Sequence, residues 1–377
     1  MGIRQGCVSF FAPKPGDRKG RNLGDCVATT PDRAAMLFGE RRGRACPCQV
    51  PSIEQKGFKY SQMRLLLSCI STKHSTLKKH WADSAQTTQC PLTTLGSYEK
   101  PKEDTGGLLC LLEDFGCSQK NLDLKMAAGM VDSDKGVFIT SFGSIHEVDD
   151  DLNTFKRDVV SSPLFNALHS ISRTQRGYLV ASTGLDLILE IKRDGEVLWN
   201  WWATDHGFEE TPTGRRRVLD KSADHRMLQY GTLSQTTHVN SAAELPDGRV
   251  LASLFHQGSV IIIDRETGKW QPVLEGLDHP HAVRILDKTH FTVADTVHGR
   301  ALLVRIEGTG LRGQVEEEID AGTSWLQDCR YDDEHESWIL VDGKHSRLIL
   351  RRGRSGDRGI VQLNLDPEWR LYEAHVL

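Results

Sequence analysis

The sequence predicts an all-β chain folded as a β-propeller of six blades, each of four antiparallel strands, with the ring closed by strands from both termini. Three observations predict it. A unit of strand, tight polar turn and strand recurs five times; three of the four spacings between units lie near the ~40–50 residues of a propeller blade; and apolar stretches at both ends are left over for one more blade.

The five units are GVFITSFGSIHEVD from Gly136, GYLVASTGLDLILEI from Gly177, GRVLASLFHQGSVIIID from Gly248, HFTVADTVHGRALLVRI from His290 and SWILVDGKHSRLILRR from Ser337. Each joins two β-branched or apolar runs through Gly-, Ser- or His-containing turns, the pattern of a hairpin. With Thr140, Ala181, Ala252, Ala294 and Val341 as equivalent positions, the intervals are 41, 71, 42 and 47 residues. A further short strand precedes each hairpin, as in LHSISRTQRG from Leu168 and HVNSAAELPDG from His238. The remaining apolar runs, MRLLLSCI and GLLCLLED before the units and GIVQLNLDPEWRLYEAHVL after them, are expected to make the sixth blade. An open seam would expose unpaired strand edges, and closure removes them. No helical periodicity is read anywhere in the chain.

Residues 1–62 mix Gly, Pro, Arg and Lys without periodicity, so the sequence predicts a poorly ordered tail there and the propeller over 63–377. Met63 is an alternative start, which would make the tail foreign to the native protein. Intact mass of the protein from its native source decides between the two.

Lys and Arg number 47 against 51 Asp and Glu, a net charge of -4, which gives no field to attract nucleic acid or an acidic membrane. No apolar run reaches the length of a membrane span. The start MGIRQGCV carries Gly6 where a myristoylation signal requires Ser or Thr. Nine cysteines, eight of them before the repeats, exclude a disulfide framework in the repeats, and no secretory leader is read at Met1. A reduced, cytoplasmic protein is expected. Cys46 and Cys48 form a lone C-x-C without a second pair at zinc-finger spacing.

Over roughly 126–360 the chain resembles two kinds of propeller. The turns DTVHGRALLVRI and DGKHSRLILRR are similar to the NHL-repeat pattern of Asp, then His or Asn, then Arg and an apolar strand. THVNSAAELPDGRVLASLFHQGSVIIIDRETGKW, with GEVLWNWWATDHG upstream, is similar to arylsulfotransferase-type propellers. That second resemblance implies that His238 transiently takes a sulfuryl group from an aryl sulfate and that Asn240 helps to hold the donor. The first implies a non-catalytic surface that binds a protein.

In a propeller the innermost strands line a central channel, and ligands bind where several blades converge at one mouth. His169, Asn240 and His281 fall at equivalent positions of three successive units, with Asp328 near the fourth and His238 two residues before Asn240. Neutral imidazoles beside an amide and a carboxylate suit nucleophilic or acid/base catalysis near pH 7. His169, His238 and His281, with Asp328, equally suit a divalent metal. The long interval arises between Trp202 and Thr237, and a connection of that length is expected to be a lid or a disordered loop. Its Arg215, Arg216 and Arg217 suit either a solvated face or an anion clamp, and His206, His225 and Tyr230 accompany them. His256, His298 and His345 repeat at hairpin turns, where a structural role away from the axis is expected; Trp199, Trp201 and Trp202 are expected to pack between blades. The partner expected from all this is a small anionic or aromatic molecule, with a protein as the alternative.

Overall fold

A computed structural model describes residues 63–86, 104–116, 118–307 and 312–377; the expected tail over 1–62 and the Cys46/Cys48 pair lie outside these residues. Among the described residues, the strands pair into six antiparallel sheets of four, whose middle strands are buried on both faces. From the axis outward, the first blade is Arg370–Val376, Leu65–Ser71, Leu108–Glu113 and Ser118–Asp123. The second runs from Met130–Ser133 to Phe155–Val160, the third from Leu168–Arg173 to Val197–Trp202, and the fourth from Val239–Glu244 to Trp270–Glu275. The fifth runs from His281–Ile285 to Arg312–Asp320 and the sixth from Leu326–Asp332 to Ile360–Asn364. Each innermost strand touches the innermost strands of the blades on both sides, so the ring is closed.

The six-bladed architecture is as the repeats predict, with the C-terminal strand paired between Leu65 and Ser71. Two details differ. GIVQLN is not part of the closing blade: Ile360–Asn364 pairs with Arg347–Arg351 as the outer strand of the sixth blade, because a short turn over 353–359 folds it straight back on its neighbour. The closing blade instead takes SQKNLD, a mostly exposed strand whose polar composition hides it from hydrophobic pattern reading. The second difference is a helix, His74–Gln86, where no helical signal is read. A tertiary contact starts it: the Glu368 carboxylate accepts the Ser75 N–H at 3.1 Å and the Ser75 hydroxyl at 2.8 Å, and the Glu368 carbonyl accepts the His74 N–H at 2.9 Å. A carboxylate at a helix N-terminus satisfies orphan donors and complements the dipole.

The apolar core is divided into six clusters, one for each junction between neighbouring blades. Leu65, Leu67, Ile339, Val341, Leu348 and Leu371, for example, fill the junction of the sixth blade with the first. Burial therefore holds the ring between blades and leaves the axis to polar groups. Trp199 and Trp201 serve this packing as expected, reaching from the third blade to the Arg265 and Gly268 carbonyls of the fourth at 3.1 and 3.0 Å. Cys69, Cys110 and Cys329 are free and buried, and burial pushes the Cys110 thiol up to about 12.

Candidate functional site

The innermost strands begin at one mouth of the channel, and the same backbone device shapes three of these beginnings. Ala167, His238 and His279 have φ of 48, 49 and 58°, a left-handed conformation that side-chain-bearing residues seldom adopt. Two residues after each lies His169, Asn240 and His281. The Ala167 carbonyl meets the His169 Nδ1 at 2.7 Å and the His279 carbonyl meets the His281 Nδ1 at 2.9 Å. The strand registers also slip by one residue at His169, Asn240, Gln327 and Tyr372. A bulged residue of this kind is re-aimed relative to its neighbours, here towards the axis. The second blade brings Gly129 to this level; a Cβ there would lie 2.6 Å from the Ser170 Cα.

His238 joins the same mouth. Its Nδ1 bonds the Gln235 Oε1, and its ring centroid lies 5.1 Å from that of His169 and 4.7 Å from that of Phe255. Tyr372 packs edge-on to His169 at 5.6 Å, and Phe255 and Trp325 pack against His281 at 5.7 and 6.2 Å. A carbonyl oxygen has no proton to donate, so the proton must sit on Nδ1 of His169 and His281, and the Gln235 oxygen asks the same of His238. Each Nε2 then carries the lone pair, and none of the three makes a hydrogen bond among the described residues. Burial depresses His169 to about 4 and His281 to about 3, and burial with the neighbouring imidazoles drives His238 well below its usual range. All three are neutral at pH 7.

The histidines line the mouth without forming a metal cage: among the described residues no group of three His, Cys, Asp or Glu side chains is spaced to hold a metal ion. Below the mouth the channel narrows to a cavity of about 30 Å³ lined by His169, Asn240, His281, Gln327 and Tyr372 among others. That is room for a water or two, so an organic ligand would sit above it, against Phe255 and Trp325. Asn240 donates to the Pro280 carbonyl at 3.0 Å, and its buried Oδ1 has no hydrogen-bond partner.

Asp328 lies deeper. Its carboxylate accepts from Arg284 at 2.6 Å and from the Ala374 N–H at 3.0 Å, and Arg284 also reaches Glu373 at 3.3 Å. Burial, reinforced by Asp328, raises Glu373 to about 7 against the pull of Arg284. Neither Arg284 nor Glu373 stands out in the sequence. Counting inward along RLYEAHV from the bulge at Tyr372 would have found the latter.

The long connection does not present a row of three arginines. Arg217 turns inward to a buried ion pair with Asp186, donates to the Gly184 carbonyl and lies 5.2 Å over the Tyr230 ring; Arg216 pairs with Glu209 at the surface, and Arg215 sits half-buried beside it. Tyr230 bonds His225 at 2.8 Å. His206 is remote from the mouth, stacked 5.3 Å from Trp201 between the third and fourth blades. The decisive residue of this region is Asp186, missed in the sequence, where it is one of two acids within the otherwise apolar run GLDLILEI. Its buried carboxylate accepts the backbone N–H groups of Thr236, Thr237 and His238 at 2.8, 2.9 and 2.7 Å. Burial opposes its ionisation, but Arg217 and these donors hold its carboxyl below the usual range.

His298 and His345 belong to the hairpin turns, where buried Asp295 and Asp342 hold them at 2.9 and 2.8 Å together with Arg300 and Arg347. His256 departs from that pattern. Its ring lies 5.9 Å from His238, and its Nε2 meets the Thr232 carbonyl at 2.9 Å, so it borders the mouth.

The chain is thus a six-bladed β-propeller whose polar channel opens at a mouth ringed by neutral histidines and aromatic side chains. No family model and no curated protein matches the sequence. Solved structures share its fold. A protein of unknown function from Bacteroides caccae is 14% identical with a TM-score of 0.50, over 83% of this chain and 98% of that one. A chain of a nidogen/laminin complex is 12% identical with a TM-score of 0.52, over 83% and 98%. Virginiamycin B lyase from Staphylococcus aureus is 14% identical with a TM-score of 0.41, over 65% and 72%. At these identities the likeness of the first two concerns the fold alone. No helix among the described residues is long and apolar enough to cross a membrane.

Proposed function

We propose that the protein is an enzyme in which the imidazoles at this mouth act as nucleophile and general base on a small anionic or aromatic molecule. The observation that carries the reading is the shared state of His169, His238 and His281: Nδ1 is committed to an acceptor, and Nε2 has its lone pair free. A neutral imidazole oriented through its other nitrogen is the form that attacks or accepts a proton. Phe255 and Trp325 offer faces to an aromatic group. His238 is the nucleophile and His169 and His281 are the proton acceptors. Asn240, whose carbonyl oxygen lacks a partner, orients the bound molecule.

Sulfuryl transfer is the reaction we favour. The His238 Nε2 attacks sulfur and the aryl oxygen leaves; the Gln235 carbonyl, bonded to Nδ1–H, steadies the positive charge on the ring. An acceptor hydroxyl then takes the sulfuryl group and gives its proton to His169. The test is phenol release from an aromatic sulfate ester with and without a phenolic acceptor. Acceptor-stimulated turnover is expected in the wild type and a loss of about 10²-fold or more in His238→Ala, the scale of a lost catalytic base or nucleophile. Folded wild type without turnover removes this chemistry. Turnover that appears only with an added divalent ion reassigns the histidines as ligands.

A second reading is a propeller that binds a protein through the connection near this mouth. Its support is the exposure of Val218, Met227 and Leu233 on that connection, at 60, 71 and 38%. This reading gains if the wild type is inactive in the assay above.

A further inference from the structure

The opposite end of the channel holds a second and larger chamber. It has a volume of about 320 Å³ and is formed where the innermost strands of the first, fifth and sixth blades end, at Val376, Ile285 and Asp332. Arg284 lines both chambers and divides them, bonded to Asp328 and Glu373. The volume falls in the ~300–1,000 Å³ range of small-molecule sites, whereas the cavity beneath the histidines holds only water.

Three polar groups on this chamber lack protein partners. Arg330 lines it, and its guanidinium makes no hydrogen bond or ion pair among the described residues. Thr292 lines it too, is 2% exposed, and its buried hydroxyl has no partner. The Arg284 Nε is likewise buried and unpartnered. Burial, reinforced by Arg284, lowers the Arg330 pKa against the opposing pull of Asp328, Glu373 and Asp132. Leaving donors unmet is costly, and those of Arg330, which unlike the other two is not shut off from the chamber, are explained if a ligand meets them.

We propose that this chamber binds a small organic carboxylate, with the Arg330 guanidinium gripping the carboxylate. A planar two-oxygen acceptor matches the fork of a guanidinium. The surroundings select a single charge. Asp328 and Glu373 lie behind Arg284, and Asp332, Asp333 and Glu334 line the chamber. A dianion such as phosphate is repelled by these acids, while a carboxylate with a neutral or cationic far end is tolerated. The site is separate from the histidine mouth and does not depend on the proposed reaction.

The test uses the full chain with butyrate, 4-aminobutyrate and inorganic phosphate as probes at constant ionic strength. Both carboxylates are expected to raise the melting temperature with concentration, as ligands of the native state do, and to give saturation-transfer NMR signals with the wild type. Arg330→Gln is expected to weaken them at least 10-fold, and Arg330→Lys, which keeps the charge and loses the fork, several-fold; the second variant serves if the first does not fold. His238→Ala is expected to retain carboxylate binding while losing turnover. Absence of binding to the wild type, undiminished binding in Arg330→Gln or Arg330→Lys, preference for phosphate, or loss of binding in His238→Ala would each overturn the proposal.

Discussion

Asp186→Ala is expected to destabilise the fold by about 3–5 kcal/mol, the usual cost of removing one partner from a buried ion pair. The Arg217 side chain is 2% exposed and the Asp186 side chain fully buried, so the alanine variant strands a guanidinium out of water. It also strips acceptors from the N–H groups of Thr236, Thr237 and His238, which set the backbone immediately before the axial strand of the fourth blade. Urea unfolding should show a lower midpoint with an unchanged slope, since the surface exposed on unfolding stays the same. Asp186→Asn keeps an acceptor and should lose less. Turnover should fall in both variants, because the position of His238 is set through this carboxylate. A loss below about 1 kcal/mol in Asp186→Ala would show that the pair is not formed in solution.

Acidification is expected to unfold the protein between about pH 6.5 and 4, above the range in which ordinary surface carboxylates titrate. His169, His281 and His238 bind protons less readily folded than unfolded, so the unfolded chain takes up more protons in this window. Stability is then full above about pH 6.5 and falls as pH drops towards the folded values, by roughly 2 kcal/mol per such histidine at pH 5. Among the described residues none of the three meets a carboxylate directly: His169 faces His238 and Tyr372, His238 faces Phe255 and His256, and His281 faces Trp325 and Thr296, with cationic Arg370 nearby, and Asp278 is taken up by His279. His146, depressed to about 4 by burial, adds to the effect, since its Nδ1 accepts the Asp158 N–H at 3.0 Å and cannot do so when protonated. Glu373 acts in the opposite sense, because its raised value favours the folded state below about pH 7, but one such group offsets about one histidine. Melting temperature measured from pH 8 to 4 should be level to about 6.5 and then drop steeply, and His281→Gln should make the drop shallower. A level profile down to pH 4.5 would mean that the imidazoles remain hydrated in solution.

Much of the ring is legible in the chain because hairpins are local objects. In HFTVADTVHGRALLVRI the apolar alternation, the turn glycine and the second strand lie within one stretch, and the observed pairing of His290–Asp295 with Arg300–Arg305 follows directly. The alignment of His169, Asn240 and His281 is legible for the same reason, since each lies 12 or 13 residues before the reference alanine of its hairpin. The helix at His74–Gln86 is not, because its first turn is capped by Glu368 from the other end of the chain. Ser118–Asp123 is not, because an outer strand facing water needs no apolar pattern.

The same division runs through the site. By itself the sequence determined the number and order of the blades, since repeated local patterns of burial and turn chemistry fix each sheet. It also placed His169, Asn240 and His281 near the starts of three inner strands. Only the tertiary structure decided which nitrogen of each histidine is free, that Arg217 serves Asp186, and that Arg284 joins Asp328 to Glu373 across the axis. Arg217 reaches Asp186 from the connection 31 positions further on, and Arg284 joins residues of two other blades, 44 and 89 positions away. Charge pairing and desolvation act through space once the ring has closed, and neither leaves a periodic trace along the chain.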